Sequence, residues 1–488
     1  MRFSYLTWSI LGIVLLLLSG VVFSEYLSLD EPAILWAFRS GNGWKDYLTR
    51  CLSEGRPIYG FLSAAGLHAA GTLTDLKYLR LINVLLSFLF CLLLFRYLAK
   101  NGVGHRIAFV SAALIFCLPS FSVFMCWAET FPMHISSMLS FFAGILVVRA
   151  MSKHLGETPL STARERMYLF AAGGIQLVSL LNYQGLALAF MLPVFMTLIL
   201  KPEISARNRL FFFMYCCFVF FICLGIYYKL YQTLILQYGS PMSQRGKLGT
   251  DVIGKAKWFA YILIEASKLH LLLFKSVFVK YTFSILIGLI LLRDVIKKRF
   301  LDLFLLFAVS ILLFLPFLVI EESWGASRNF GLVAMAFVFY LVIRCFELIR
   351  TPSYWLTAAI VTPFVIILFA NIAGAWVKPA HDDYEFIQAF SQKLPPMQGN
   401  ILVAVTPPIW NMHEKHTYFK YYFDEYNHPV FTAIYTLEPA VKLFYQGKYP
   451  NFSAEDINKL LKVKKINGTE GDSLVVHQAV FRLDMNYK

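Results

Sequence analysis

Apolar runs about as long as a bilayer is thick recur along the chain at 7–23, 78–98, 107–127, 131–150, 210–230, 303–320, 329–349 and 354–376. Each has the roughly 20 residues that a spanning helix needs. The uncharged stretch 167–200 would be roughly 50 Å long as one helix at about 1.5 Å per residue, so the reading divides it at Asn182-Tyr183-Gln184-Gly185 into a tight pair of spans. A further run at 269–292 is interrupted by Lys275 and Lys280, whose apolar stems can snorkel. The run Pro57–Leu73 is short and contains Gly60, Gly66, His68 and Gly71, and it is expected to lie in or re-enter the interface. This pattern predicts a polytopic α-helical membrane protein with about 11 transmembrane helices over 1–377.

From Lys378 the hydropathy falls and the pattern becomes that of a small soluble α/β domain over 378–488. Helix-like Asp382–Lys393, strand-like Ile401–Thr406 and Val430–Tyr435, and a helix opened by Ser453 with Asp456 three residues on support that reading. No repeat of fixed period is visible.

Charge orients the bundle. Arg2, Lys100, Arg106, Arg149, Lys153, Arg164, Arg166, Lys201, Arg207, Arg209, Arg293, Lys297, Lys298, Arg299 and Arg350 all fall in connectors of one side. By the positive-inside rule that side is the cytoplasm, which puts the tail outside. The segment 231–268 departs from this rule, since it is expected outside yet carries Arg245, Lys247, Lys255, Lys257 and Lys268. The first run, Phe3–Ser24, is uncharged and fits either a signal peptide or an uncleaved anchor; the polar motif directly after it favours the anchor.

Composition agrees with the pattern. Hydrophobic residues make up 58% and charged residues 15%, with a mean hydropathy of +0.62, more apolar than a soluble domain can bury. The formal charge of +15 lies between apolar runs, where it meets anionic lipid rather than nucleic acid. Eight cysteines, all at or before Cys345, show neither a disulfide framework nor metal-ligand spacing. His68 and His134 lie in apolar runs and read as packed or interfacial residues. There is no Walker loop, dinucleotide fingerprint or zincin helix, so a nucleotide bound to this chain is not the expected energy source.

Acids collect on the expected outer side: Asp30 and Glu31 after the first span, Glu129 after the third, and Glu321 and Glu322 after the ninth. A lone charge at the end of a span is usually solvated at the interface, and Glu31-Pro32 also reads as a helix start. Cations on the same side are Arg56, Arg245, Lys247 and Arg328. Each of these reads equally as a lipid headgroup contact.

The order Leu29-Asp30-Glu31-Pro32, Gly41-Asn42-Gly43-Trp44, Glu54-Gly55-Arg56-Pro57, then Leu79-Arg80-Leu81-Ile82-Asn83 entering the second span, with Trp127-Ala128-Glu129-Thr130 between later spans, resembles the GT-C superfamily of membrane glycosyltransferases. Among these it is similar to bacterial O-antigen serotype-converting glucosyltransferases and to aminoarabinose and protein-mannosyl transferases. The resemblance covers the whole architecture through short motifs. It implies a bacterial inner membrane enzyme with its catalytic first outer loop at 24–77, facing the periplasm. Such an enzyme moves a sugar, with inversion, from a polyprenyl-phosphate carrier to an envelope glycan or glycolipid. On this reading Asp30 is the base, and Glu31 or Glu129 orients the acceptor or binds a divalent metal ion if one is used. Arg56, Arg245, Lys247 and Arg328 meet the donor phosphate, and Glu321 and Glu322 are auxiliary acceptor residues. Relatives often carry Lys or Arg at the tight turn where this chain has Asn182-Tyr183-Gln184, which leaves that turn without its own cation. The competing readings are a transporter or flippase for lipid-linked saccharides, which would place ionisable groups near the bilayer midplane, and an envelope polymerase or ligase.

Overall fold

The computed structural model describes residues 2–28, 30–41, 43–151, 163–238, 249–267, 277–320, 330–349, 353–396, 401–406, 434–465 and 479–484. The chain begins with α1 (Arg2–Val22), followed by three helices of the first polar loop, α2 (Glu31–Arg39), α3 (Gly43–Ser53) and α4 (Pro57–Ala70). The bundle continues through α5 (Leu76–Lys100), α6 (His105–Phe116), α7 (Pro119–Cys126), α8 (Phe131–Met151), α9 (Ala163–Asn182), α10 (Met191–Leu200) and α11 (Ala206–Tyr238). It closes with α12 (Val252–Ser267), α13 (Val277–Ile296), α14 (Phe300–Val319), α15 (Gly331–Ile349) and α16 (Tyr354–Ala370).

Five described helices are long and apolar enough to cross a membrane: Leu76–Lys100, Ala128–Met151, Ala206–Tyr238, Phe300–Val319 and Tyr354–Gly374. That is fewer than the expected eleven, and local chemistry accounts for part of the difference. The run 107–127, read as one span, is two helices, because Pro119 lacks an amide hydrogen and pushes Leu118 into extended backbone (ψ 133°). The divided stretch 167–200 breaks where expected: α9 ends at Asn182, and a short 3₁₀ turn, Ala187–Phe190, leads into α10. With 10 residues, α10 is shorter than a bilayer. Conversely, α11 runs to Tyr238 and, at 33 residues, outlasts the expected 210–230.

Small and hydroxyl-bearing side chains bring α8 and α9 together, as is usual where helices pack without a hydrophobic drive. Ser136 Oγ lies 2.9 Å from Ser179 Oγ, Ser140 Oγ donates to Gln176 Oε1 at 2.9 Å, and Gln176 Nε2 donates to the Ala187 carbonyl at 2.8 Å. All eight cysteines are free.

The last membrane helix does not end in a loop. It passes through a π-helical turn, Asn371–Val377, into α17 (Lys378–Lys393). The tail adds α18 (Ile434–Lys448), α19 (Ala454–Leu460) and a parallel three-stranded sheet in the order β2-β1-β3, made of β1 (Ile401–Thr406), β2 (Leu461–Lys465) and β3 (Ala479–Asp484). Ile401 faces Leu461 on one side and Ala479 on the other. Ser453 and Asp456 form the expected reciprocal cap of α19. The expected strand 430–435 is corrected at its end, since Ile434 and Tyr435 open α18, where the apolar residues follow helical spacing; 430–433 lie outside the described residues.

Candidate functional site in the first polar loop

Asp30 stands at the entry to α2 but makes no side-chain cap to it, and Pro32 occupies the first turn in its place as a helix-starting residue. The Asp30 carboxylate is partly exposed. Its neighbour behaves oppositely. Glu31 is fully buried and bonded at both oxygens. Oε2 accepts from Arg80 Nη2 at 2.5 Å and from the Ser28 amide at 3.2 Å, while Oε1 accepts from the Ala128 amide at 2.6 Å. Burial holds this carboxyl above its usual range, and Arg80 and the two amides work against that shift.

Those bonds shape the second acidic segment. The backbone between α7 and α8 leaves helical geometry at Trp127 and makes a 3₁₀ turn, Ala128–Thr130, so its amide and carbonyl groups need partners. Glu31 takes the Ala128 amide; Asn83 Nδ2 donates to the Trp127 carbonyl at 2.7 Å; Tyr26 Oη donates to the Cys126 carbonyl at 2.8 Å. Arg80 also donates to the Tyr26 carbonyl at 2.9 Å and lies over the Tyr26 ring at 3.5 Å. Glu129 is carried on this pinned turn. Its Oε2 accepts from Tyr47 Oη at 3.4 Å and its carbonyl from Ser63 Oγ at 3.0 Å. Burial raises the Tyr47 phenol well above its ordinary pKa, so it stays a donor at neutral pH.

A cation that the sequence analysis does not single out lies in the electrostatic field of these acids. Arg50, on α3, has its side chain 60% exposed and its Nε 3.8 Å from Glu54. Partial burial disfavours its charge, but Glu54, Glu129 and Asp30 outweigh that and hold its pKa above the ordinary value. The available signal was its position four residues before Glu54 on a loop helix.

Arg56 is brought to the tight turn between α9 and α10. Its guanidinium lies 4.5 Å over the Tyr183 ring, Nε donates to Gln184 Oε1 at 3.2 Å, and Nη1 pairs with Glu54 at 3.1 Å. The turn that lacks its own cation therefore holds one from the first loop. Gln184 Nε2 donates to the Gly55 carbonyl at 2.7 Å, Tyr227 Oη of α11 donates to the same carbonyl at 3.1 Å, and in the extra turns of α11 Tyr231 Oη donates to the Ser53 carbonyl at 2.7 Å. Gly55 has φ +77°, and a Cβ there would strike the Tyr227 hydroxyl. Only glycine permits this approach.

Arg245, Lys247, Glu321, Glu322 and Arg328 lie outside the described residues. Among the described residues no three His, Cys, Asp or Glu side chains form a metal-ligand group. Glu31 is committed to Arg80 and two amides, so its oxygens are not available to a metal ion.

No protein-family model matches the chain, and no curated protein matches it. Two solved structures of an archaeal oligosaccharyltransferase from Archaeoglobus fulgidus are similar to it in overall course. One, in complex with an inhibitory peptide and a dolichol-phosphate, is 11% identical with a TM-score of 0.41, over 85% of this chain and 64% of its own. The other, in complex with Zn and sulfate, is 13% identical with a TM-score of 0.42, over 84% and 61%. The chain thus spans less than two thirds of the length of either. At these scores neither assigns a residue's role or an activity here.

Proposed function

We propose that the protein is an inverting glycosyltransferase that moves a sugar from a polyprenyl-phosphate carrier to an envelope glycan or glycolipid at the outer face of the membrane. The observation that supports this best is the bond from Glu31 to the Ala128 amide. It ties the segment bearing Asp30 to the turn bearing Glu129, so the backbone of two acid-bearing segments distant in sequence is fastened together beside the first loop.

In this reading Asp30, the partly exposed acid, accepts the acceptor hydroxyl's proton as its oxygen attacks the anomeric carbon. The bond from that carbon to the phosphate oxygen breaks on the opposite face, and the electron pair leaves with the lipid phosphate. Glu129 orients the acceptor, and its negative charge favours the oxocarbenium character of the transition state. Arg56 meets the departing phosphate. It lies over the Tyr183 ring, and its Nη2 donates to no described protein group, which suits the planar fork of an arginine to an incoming oxyanion. Arg245, Lys247 and Arg328 are further candidates for that phosphate, and Glu321 and Glu322 for the acceptor. Glu31 is a positioning residue in this scheme.

The test is transfer of labelled sugar from a panel of polyprenyl-phosphate donors in membranes carrying the intact chain or Asp30→Asn. The expected result is a fall in kcat of about 10²–10⁴-fold with donor binding and expression retained. Undiminished transfer by Asp30→Asn removes the base assignment, and no transfer by the intact protein across the panel removes the transferase reading.

A further inference from the structure

α2 has nine residues. A helix that short does not hold its form in water without packing. Its N-terminal end is fixed by Glu31 and Arg80, and its other end is fixed by the C-terminal unit. Trp36 is buried, and its Nε1 donates to Asn458 Oδ1 at 3.0 Å. Lys442, itself buried on α18, donates to the same oxygen at 2.9 Å, pairs with Glu438 at 2.6 Å and lies 5.8 Å from the Trp36 ring centroid. One turn on, Arg39 Nη1 donates to Gln446 Oε1 at 2.8 Å, while its Nη2 holds the Gly71 carbonyl at the end of α4 at 2.7 Å. The strand of backbone before α2 is held as well: the Leu27 amide donates to the Ala380 carbonyl at 3.2 Å, and His381 Nδ1 lies 2.6 Å from the Glu25 carbonyl.

We propose that the C-terminal unit is a brace for the first polar loop: α18 and α19 grip α2 through Asn458, Lys442 and Gln446 and thereby fix where Asp30, at the other end of the same helix, stands. The contacts involve one acceptor oxygen shared by an indole and an ammonium, an arginine fork spanning two elements, and backbone bonds on the approach to the helix. They hold the far end of α2 and the backbone that leads into it, with Asp30 between them at the helix start. A displacement of about 1 Å at a reacting group can cost on the order of 100-fold in rate, so a loosened brace acts on turnover before it acts on donor binding. The last step, from helix position to turnover, rests on the transferase reading; the grip itself does not.

The experiment uses the full chain in lipid nanodiscs. Hydrogen exchange of the 31–39 amides and donor-dependent transfer kinetics are compared for the intact protein, Asn458→Leu, which removes the shared acceptor, and Asn458→Asp, which keeps an oxygen there. Gln446→Ala, which removes only the Arg39 bond, is run alongside in case leucine at 458 unfolds the tail. The expected result is faster exchange confined to α2 in Asn458→Leu and Gln446→Ala, a fall in kcat of about tenfold or more with unchanged donor KM, and recovery of both in Asn458→Asp. Unchanged α2 exchange in both loosened variants overturns the brace. Faster exchange with undiminished kcat overturns its positioning role. If the intact protein transfers no sugar, it is the transferase reading that fails, and the exchange data still decide the grip.

Discussion

At one end of the bundle Arg80 and Glu31 meet in a fully buried pair, and at the other Arg209, Asp302, Arg344 and Asp294 form a buried chain of ions. Arg80 lies in the first turns of α5; Tyr97, about 25 Å further along that helix, bonds the Pro193 carbonyl of α10 at 2.8 Å, and Phe195 of α10 stacks with Tyr340 beside Asp294. The second cluster joins helices to one another. Arg344 reaches Asp302 at 2.5 Å and Asp294 at 3.1 Å, Arg209 bonds the other Asp302 oxygen, and Arg299 and Arg293 bond Glu347 at its rim at 2.7 and 3.2 Å. Apart from the bond from Arg293 Nη1 to the Arg344 carbonyl at 3.0 Å, the partners there are other side chains; four helices are drawn to one point, and the charges lie in or near terminal turns rather than at the middle of a span. The first cluster spends most of its bonds on backbone, at Ser28, Tyr26 and Ala128, and so fixes the course of two loop segments that carry acids. Buried charge of the same kind serves assembly in one place and preorganisation in the other.

The largest effect that sharpens this contrast is expected from Glu31→Leu. Removing one partner of a buried pair costs about 3–5 kcal/mol, read as a loss of unfolding free energy in mixed detergent, and it frees the Glu129 turn as well. The double variant Glu31→Leu with Arg80→Met should recover most of that stability, because an apolar pair of similar size replaces the ions, yet transfer should stay low since the Ala128 amide has no acceptor. Recovery of transfer with stability would break the distinction. A smaller effect follows from Asp302→Asn at the opposite end, which weakens charge-assisted bonds to Arg209 and Arg344: a loss of about 2–3 kcal/mol is expected, with transfer per folded molecule unchanged. The smallest is Arg56→Lys, which keeps the charge but loses the fork and the stacking on Tyr183. Donor KM should rise about tenfold, equivalent to about 1.4 kcal/mol, with no measurable change in unfolding.

How much of this was legible beforehand depends on the range of the interaction. The break at Asn182, the start of α2 at Glu31-Pro32, the cap at Ser453 and β1 at 401–406 are local, and residue types within a few positions determine them. Asp30 and Glu129 are visible as acids after spans, but the tie between the segments that carry them is the Glu31–Ala128 bond, which no spacing encodes. Arg80 was quoted within a motif and given no role, although an arginine one turn inside an apolar helix needs an acidic partner, and Glu31 was the acid already in view. Arg344, flanked by Glu347 in an otherwise apolar run, carried the same signal. Arg56 at the Tyr183-Gln184 turn could not be inferred, because the loop and the turn meet only through the helices that carry them. The split of 107–127 was announced by Pro119, and overall apolarity masked it.

The passage from α16 to α17 through Asn371–Val377 leaves no slack between the last membrane helix and the tail. A tethered domain would tumble independently of the bilayer beneath it. Here a helix that tilts to match a thicker or thinner hydrocarbon layer turns the tail with it, and through Asn458 and Gln446 turns α2 as well. A change in lipid chain length is therefore expected to reach the loop that carries Asp30, an outcome that hydrogen exchange of the 31–39 amides in bilayers of different thickness would check.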